Sequence, residues 1–454
     1  RWLSDWSSDV CSSDLPGNYF RDPFFVEQLE VVKGPNSTFA GRGSAGGTVN
    51  FVSKQPQQQD FNRVEVGVGT DSYKRLTLDA NKKINDNSAL RLNVMKHGAD
   101  IPGRDIANED RYGVHAAYTW GFKGPTKITA DYLHMRMDDL PDAGLPTNRA
   151  GNLGPVLNNE ASMANVKREN FYGHTNDYKK VDVDQVGVGI QHQFSGGTLV
   201  SNKLRLAQVH NDGWVSSPRI AISGAGPVEG GSCSSATPCG LGNTKPRDQV
   251  DEALNNQLDV AFGFKTGSIQ HDMVMGVEVS KNSYDNKRRL DNNGPRTSLI
   301  NPVARYLTSV PTYDGTRYRL ETEEMGVYLL DTMRLNPKWD LHAGLRWDKV
   351  SATATRRGFT GANSVYNTTH KRDDDALSQS LSLVYKLTPD MSIYGTVSNA
   401  YVMSANFDRN SVQLAGGSAT ESIVGAGFNT APEEMQSFEL GAKWRTGKSL
   451  DIGA

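Results

Sequence analysis

The sequence predicts an all-β chain, a transmembrane antiparallel β-barrel, on three observations. Apolar and polar residues alternate with period two, short and long connections follow one another in turn, and no apolar run reaches the length of a spanning helix. Period two places successive side chains on opposite faces of a strand. Val186, Val188 and Ile190 share one face, and Gln185, Gly187, Gly189 and Gln191 the other. Leu90, Leu92 and Val94 alternate with Arg91 and Asn93. Leu341, Ala343, Leu345 and Trp347 alternate with His342, Gly344, Arg346 and Asp348. Phe438, Leu440, Ala442 and Trp444 do the same with Glu439, Gly441, Lys443 and Arg445. A barrel in lipid turns its apolar face outward, whereas a soluble sandwich turns it inward.

The connections favour the barrel. Turn-forming clusters stand at 85–88, 123–126, 195–197, 265–268, 336–338, 388–390 and 446–448. Between them lie polar stretches at 138–180, 211–250, 281–319, 352–375 and 402–434, expected as loops. Tight turns at one rim and long loops at the other are the habit of outer-membrane barrels. About fourteen strands are expected, with a fifteenth starting at Leu450. An open edge facing lipid would be costly, so the chain is expected to be a piece lacking its C-terminal strands.

The 454 residues carry 49 basic and 51 acidic side chains, a formal charge of −2, which gives no reason to invoke nucleic acid. The hydrophobic fraction of 37% and mean hydropathy of −0.54 suit strands that are only half apolar. There is no nucleophile elbow, phosphate loop or His-Glu zinc motif, so neither an enzyme nor a resident metal is expected. Gly67/Gly69 and Gly187/Gly189 fall inside predicted strands, where a phosphate loop does not sit. His370 with Asp373, Asp374 and Asp375 reads as a charged loop base before a cation site. Asp182 and Asp184, at a strand start, are expected at the membrane interface.

The three cysteines divide into one and two. Residues 5–15, D-W-S-S-D-V-C-S-S-D-L, fit one reading frame of a sequencing-library adapter, so 1–15, with Cys11, is set apart from the fold. Cys233 and Cys239 lie in a Gly/Ser/Pro-rich stretch, G-S-C-S-S-A-T-P-C-G, which suits a local disulfide in an oxidising compartment. A thiol metal site is the alternative, weakened by the lack of a nearby histidine.

One segment, 26–56, does not follow the strand pattern. Two short apolar runs, 29–32 and 48–52, flank a turn region holding Gly34, Gly41, Gly43, Gly46 and Gly47, a density that lets backbone turn sharply and pack closely. The runs L-E-V-V-K-G-P (29–35), A-G-R-G-S-A-G-G-T-V-N (40–50) and V-S-K-Q-P (52–56) resemble the end of the plug domain of TonB-dependent outer-membrane receptors. The segments 324–335 and 437–444 are similar to barrel strands of the ferric-siderophore branch. Two departures stand out: Ala40 replaces the usual tyrosine, with Phe39 before it, and Gln55 replaces the commoner arginine.

The resemblance implies residues 16–58 as the C-terminal part of a plug and 59–454 as a barrel, of which the family's 22 strands are present only in part. It also implies import of ferric siderophores across a Gram-negative outer membrane, driven by the TonB-ExbB-ExbD complex. Iron would travel inside the ligand, with no covalent cofactor. The first half of the plug and the TonB box are not expected in this chain, which by itself is expected to be inactive in transport. The plug motif comprises Lys33, Gly34, Pro35, Gly41, Arg42, Gly43, Gly46, Gly47 and Asn50. Lys33, Arg42 and Lys54 are expected to pair with Glu439 on the polar face of the barrel, or else to be solvated in a wet lumen.

For the ligand, the stretch 281–319 carries eight basic against three acidic side chains, a net of +5, with tyrosines interspersed. Tyr284, Arg288, Arg289, Arg296 and Tyr306 are the expected contacts there, with Phe39 from the plug. Cations and stacking rings suit an anionic aromatic chelate, so a catecholate is the preferred class. Contact with lipopolysaccharide phosphate is the competing use of the same charges. Hydroxamate or mixed siderophores, other metal chelates and cobalamin follow. A passive porin or adhesin barrel and a soluble β-rich enzyme are the readings from other classes.

Overall fold

The computed structural model describes residues 22–34, 37–41, 47–146, 166–221, 233, 239–290, 294–360, 364–403, 431–446 and 450–453. Two strands, β1 (Val26–Lys33) and β2 (Gly47–Ser53), pair with each other antiparallel, joined through a single helical turn, α1 (Ser37–Ala40). Val31 faces Val49 and Leu29 faces Phe51 in their register, so the two apolar runs become the two arms of one hairpin. Gly34 and Gly41, both at φ +80°, make the bends on either side of α1 that a side chain would strain.

All other strands join one 16-stranded antiparallel sheet. Its first members are β3 (Phe61–Val68), β4 (Lys74–Asn85), β5 (Ser88–Asp100), β6 (Asn108–Trp120) and β7 (Thr126–Asp139). Then come β8 (Tyr178–Gln193), β9 (Leu199–Ala221), β10 (Cys239–Thr266) and β11 (Ile269–Arg289). The two-residue β12 (Thr297–Ser298) pairs with β10 off the main path. The path continues through β13 (Tyr313–Asn336), β14 (Trp339–Thr360), β15 (Ser364–Thr388), β16 (Met391–Val402), β17 (Glu433–Thr446) and β18 (Leu450–Gly453). Each strand on the path bonds to its neighbour in sequence, as in an up-and-down barrel wall. Six of the seven expected tight turns fall where the sequence places them; the seventh, at 446–448, lies largely outside the described residues, and β18 starts at Leu450 as expected.

Burial decides between barrel and sandwich. On β5, Leu90 is 42% exposed while its neighbour Arg91 is 3% exposed. Val186, Ile190, Leu345, Trp347, Leu381 and Leu440 are likewise exposed, whereas Asn93, His115, Arg346 and Asp348 are buried. The sheet is apolar outside and polar inside. That inversion fits hydrocarbon as the outer solvent and excludes the soluble sandwich.

Two of the five expected loops, 211–250 and 352–375, are more than half strand, and a third, 281–319, is strand at both ends. β9 and β10 stay paired from Ala261–Leu199 up to Cys239–Ala221, β11 and β13 up to Arg289–Tyr313, and β14 and β15 up to Thr360–Ser364. The arms 211–221 with 239–250, 281–289 with 313–319, and 352–360 with 364–375 therefore prolong the ladders. A bilayer needs only about 9–11 residues per strand, so these ladders continue into water. There both faces meet polar surroundings, and the alternation that marks a strand in sequence fades while backbone pairing persists. Most of the other two expected loops, 147–165 between β7 and β8 and 404–430 between β16 and β17, lies outside the described residues. Cys233 and Cys239 are joined as a disulfide, with Cα atoms 5.6 Å apart, at the start of β10. At the turn between β4 and β5, Lys123 and Lys83 bond Asp86 and hold its carboxyl down to about 2.

Replacing Leu381 by arginine on the outer face should destabilise the refolded protein in a bilayer by about 2–4 kcal/mol, measured by denaturant titration. The neighbouring Ser382→Arg, on the inner face, should cost far less. Equal losses would mean that the faces have been assigned wrongly.

Candidate functional site

The hairpin β1–β2 and its flanks lie between opposite stretches of the wall, and charged residues buried on the inner face hold them there. On one side a 3-10 turn, Pro23–Phe25, precedes β1, and the Oδ1 of Asp22 accepts the Phe24 N–H at 3.1 Å. Arg75 on β4 donates two bonds to the Asp22 carboxylate, at 2.9 and 2.7 Å. This bidentate fork fixes direction as well as distance. Phe24 sits in a buried cluster with Met95, Leu133, Met135, Met137, Val181, Val183 and Val209. The register runs Met95–Gly113–Met135–Val183–Val209 across β5 to β9, and the ring enters this row at Gly113. A Cβ there would lie 2.6 Å from the ring, so the absence of a side chain at Gly113 makes the socket.

Arg91 on β5 is the hub of the same side. Its Nε and one terminal nitrogen donate to Asp79 at 2.9 and 2.8 Å, and the other donates to the Gln55 carbonyl at 2.9 Å. Glu27 of β1 lies 2.9 Å from the same guanidinium. Lys54 stands 3.2 Å from Asp79 and donates to the Phe24 carbonyl at 2.8 Å. Just beyond, the buried Asn81 accepts the Gln57 N–H at 2.9 Å and donates to the Gln57 carbonyl at 2.8 Å. A desolvated charge is tolerable here because every partner is another charge or a backbone dipole.

On the far side α1 packs against β13, β14, β15 and β16. Gly344 makes room for Thr38, whose Cβ would be 3.2 Å from a methyl there. A Cβ on Gly41 would come within 3.1 Å of the Arg346 guanidinium. Arg346 is itself held by Asp348 at 2.8 and 3.0 Å and by Glu278 at 2.9 Å, with its charge 5.2 Å from the Tyr328 ring centre. Between the two anchored sides a cavity of about 390 Å³ separates 52–57 from the inner surface of β7 to β11.

The expected pairing of Lys54 with Glu439 is corrected. Lys54 leaves β2 toward β4 and meets Asp79, while Glu439 accepts a bond from the Tyr394 hydroxyl at 2.6 Å on the neighbouring strand. Pro35, Arg42, Gly43 and Gly46 lie outside the described residues, as do the side chains of Lys33 and Phe39. The hairpin with its flanks and the wall are thus joined by ion pairs at residues that were not singled out: Asp22, Glu27, Arg75 and Asp79. Their signal was partly visible, since Arg91 and Arg346 occupy the polar face of strongly alternating strands, and a charge that must face a lumen needs a partner.

The expected ligand residues do not converge. Tyr284 is 3% exposed, packed with Tyr318, Leu320, Val350, Ala352, Ala354, Ala376 and Met403. Arg289 is clamped between Asp212, 2.7 Å away, and Tyr313, whose hydroxyl accepts a bond at 2.7 Å. Neither side chain is displayed for stacking or capture. Arg288 is partly exposed, 3.2 Å from Asp314; Arg296 is half-buried; Tyr306 is 64% exposed. Asp374 is bonded by Arg372 and Asp373 by Ser351, and no cluster suited to a metal occurs among the described residues. Asp184 accepts from Tyr132 at 2.6 Å, and Asp182 lies 3.3 Å from Arg136.

Two substitutions test the seat. Arg91→Met should cost about 3–5 kcal/mol by leaving Glu27 and the Gln55 carbonyl without their partner and Asp79 with Lys54 alone, and Arg91→Met with Asp79→Leu should cost less than the two single losses added, in a double-mutant cycle read by urea unfolding. Gly113→Val should cost about 1–3 kcal/mol by evicting the Phe24 ring, and pairing it with Phe24→Ala should cost no more than Phe24→Ala alone. Additive losses in either cycle would show that the partners do not act together.

Residues 119–454 match the family model described as TonB dependent receptor-like, beta-barrel. The protein named "Probable TonB-dependent receptor BfrD" of Bordetella pertussis is 30% identical, over 95% of this chain and 57% of its own. The catecholate siderophore receptor Fiu of Escherichia coli K12 is 28% identical, over 94% of this chain and 58% of its own. The solved structure of the siderophore receptor PiuA from Acinetobacter baumannii matches 93% of this chain and 60% of that one, with a TM-score of 0.76 at 27% identity. The chain thus spans 57–58% of the length of these curated relatives. The matched model and the inside-out sheet agree: the chain belongs to the TonB-dependent receptors, β-barrel proteins of the Gram-negative outer membrane.

Proposed function

We propose that this chain is part of a receptor that imports ferric siderophores, with catecholates as the preferred class. In this reading 16–58 is the C-terminal part of a plug, 59–454 is barrel, and 1–15 takes no part in the fold. The observation that carries it is the hairpin held between opposite walls by Asp22–Arg75 and by the Arg91 cluster on one side, and by α1 against Gly344 and Arg346 on the other. A passive pore gains nothing from an obstruction fixed by buried ion pairs; a gated importer depends on one. The relatives named as catecholate and siderophore receptors support the ligand class.

The chemistry is capture and release, with no covalent step. Arg288, Arg296 and Tyr306, on or beyond the end of β11, are the proposed first contacts, since cations attract an anionic chelate and an exposed ring can stack on it. Phe39, at the end of α1, is the proposed contact from the plug. Iron passes as part of the ligand. Energy reaches the plug from TonB with ExbB and ExbD at the periplasmic side, while the outer charges also meet lipopolysaccharide.

The test is uptake of radio-iron chelates by the complete receptor in an iron-starved, receptor-deficient strain. Ferric catecholates should enter, and deletion of TonB should abolish entry. TonB-independent entry would make the barrel a passive pore; entry of hydroxamates or cobalamin alone would reassign the ligand. Replacing Arg288 and Arg296 together by glutamine should weaken binding about tenfold, roughly 1.4 kcal/mol. Unchanged binding would remove both from the site.

A further inference from the structure

We infer that residues 170–177, a strap on the outer side of the wall, are the positioning element that sets β12 beside β10 and so turns Arg296 toward the lumen. This deepens the importer reading above, in which Arg296 meets the ligand, and rests on it. The strap precedes β8 and crosses the top of the β9–β10 ladder. That ladder runs without a shift of register from Leu199–Ala261 to Ala221–Cys239. Ser216, Gly240 and Gly242 therefore share the face that carries Leu206 and Leu254, 44% and 40% exposed lower down. The strap lies on this outer face. A Cβ on Gly242 would stand 2.7 Å from the Tyr172 carbonyl oxygen, and one on Gly240 2.7 Å from the Tyr172 ring. Glycine at both positions lets the strap touch the ladder.

One buried node pins the strap to β9. The Asp177 carboxylate accepts the Ser216 hydroxyl at 2.9 Å and the backbone N–H groups of Ser216 and His174, each at 3.2 Å. The His174 ring closes the node, its Nδ1 2.7 Å from the Ser216 Oγ. All three residues are buried, so the carboxylate depends on these donors in place of water. From the node the strap reaches the segment 294–307. Thr175 donates its N–H to the Arg305 carbonyl at 3.0 Å, and Asn170 donates to the Ile300 carbonyl at 2.8 Å. Asn176 accepts the Leu307 N–H at 2.8 Å and donates to the Leu307 carbonyl at 3.2 Å. Gly294 donates to the Gly242 carbonyl at 2.9 Å, with the His174 ring where a Gly294 side chain would stand. β12 itself makes two register pairs with β10, Ser298–Cys239 and Thr297–Gly240, too short a ladder to hold alone. Thr297 shares the outer face of Gly240, its methyl 3.5 Å from where a Cβ would stand there. Arg296, one residue earlier, falls by alternation on the inner face.

The complete receptor in detergent gives two readings. Amide exchange followed by mass spectrometry needs no ligand. In Asp177→Ala, peptides covering 294–300 should exchange faster by about tenfold or more, while those from 250–260 keep their rate. Unchanged exchange at 294–300 would overturn the role of the strap. Binding of a radio-iron-labelled ferric catecholate, per folded receptor, gives the second reading. Asp177→Ala and Arg296→Gln should each weaken it about threefold, and the two together about threefold rather than about ninefold. A multiplied loss, or unchanged binding by Asp177→Ala, would overturn the link to Arg296, because a general loosening of the fold acts independently of that side chain. Should Asp177→Ala fail to insert, Asn176→Ala removes both bonds to Leu307, leaves the node intact and should give the same pattern in weaker form. Absence of binding by the unsubstituted receptor, or unchanged binding by Arg296→Gln, would instead count against the importer reading and its use of Arg296, with exchange at 294–300 still deciding the strap.

Discussion

A strand that crosses hydrocarbon must find a partner for every backbone N–H and C=O, and much else in this molecule follows from that requirement. It forces consecutive strands to pair edge to edge, which they do from β3 to β18. It also puts the solvent on the wrong side for an ordinary core. Leucine, valine and tryptophan go outward, so the enclosed space is left to arginine, aspartate and asparagine. An interior of that kind cannot hold an inserted segment by hydrophobic burial alone. It holds one with directed bonds.

Those bonds divide the inserted hairpin and its flanks into regions with different attachments. Asp22 and Glu27 are bound by arginines of the wall, whereas 54–57 is bound through Lys54 and through its own backbone to Asp79, Arg91 and Asn81. α1 adds steric seating rather than charge, because Gly41 and Gly344 let backbone and side chain come close. Phe24 is the exception, an apolar anchor among methionines whose flexible thioethers shape themselves to a ring.

Much of this was legible in the sequence, for physical reasons. Period two survives wherever one strand face meets lipid, so β5, β8, β14 and β17 could be read from their apolar residues. Tight turns announced themselves by composition. The glycine-rich segment marked a hairpin because Gly34 and Gly41 adopt backbone angles that other residues avoid. What the sequence hid lies where water touches both faces. The tops of β9 to β11 and of β14 and β15 looked like loops, and Tyr284 and Arg289 looked available because their packing partners come from other strands. The partner of a lumen charge was also hidden: Lys54 chose Asp79, twenty-five positions away, through the curvature of the wall. Arg91 was visible as an inward cation, but nothing in a linear chain says that it joins Glu27, Asp79 and Gln55 at once.

The order of the attachments along the chain has a mechanical meaning. Tension applied on the N-terminal side of Asp22 reaches the Arg75 fork and the Phe24 socket first, then the contact of Glu27 with Arg91, and only afterwards the ladder of the hairpin. Bonds loaded one after another yield singly, like a zipper drawn from its end, and each needs far less force than all would need together. The backbone clamp of Gln57 on Asn81 stays slack until the hairpin is undone. It acts as a tether, so a displaced segment remains beside the wall and can find its seat again.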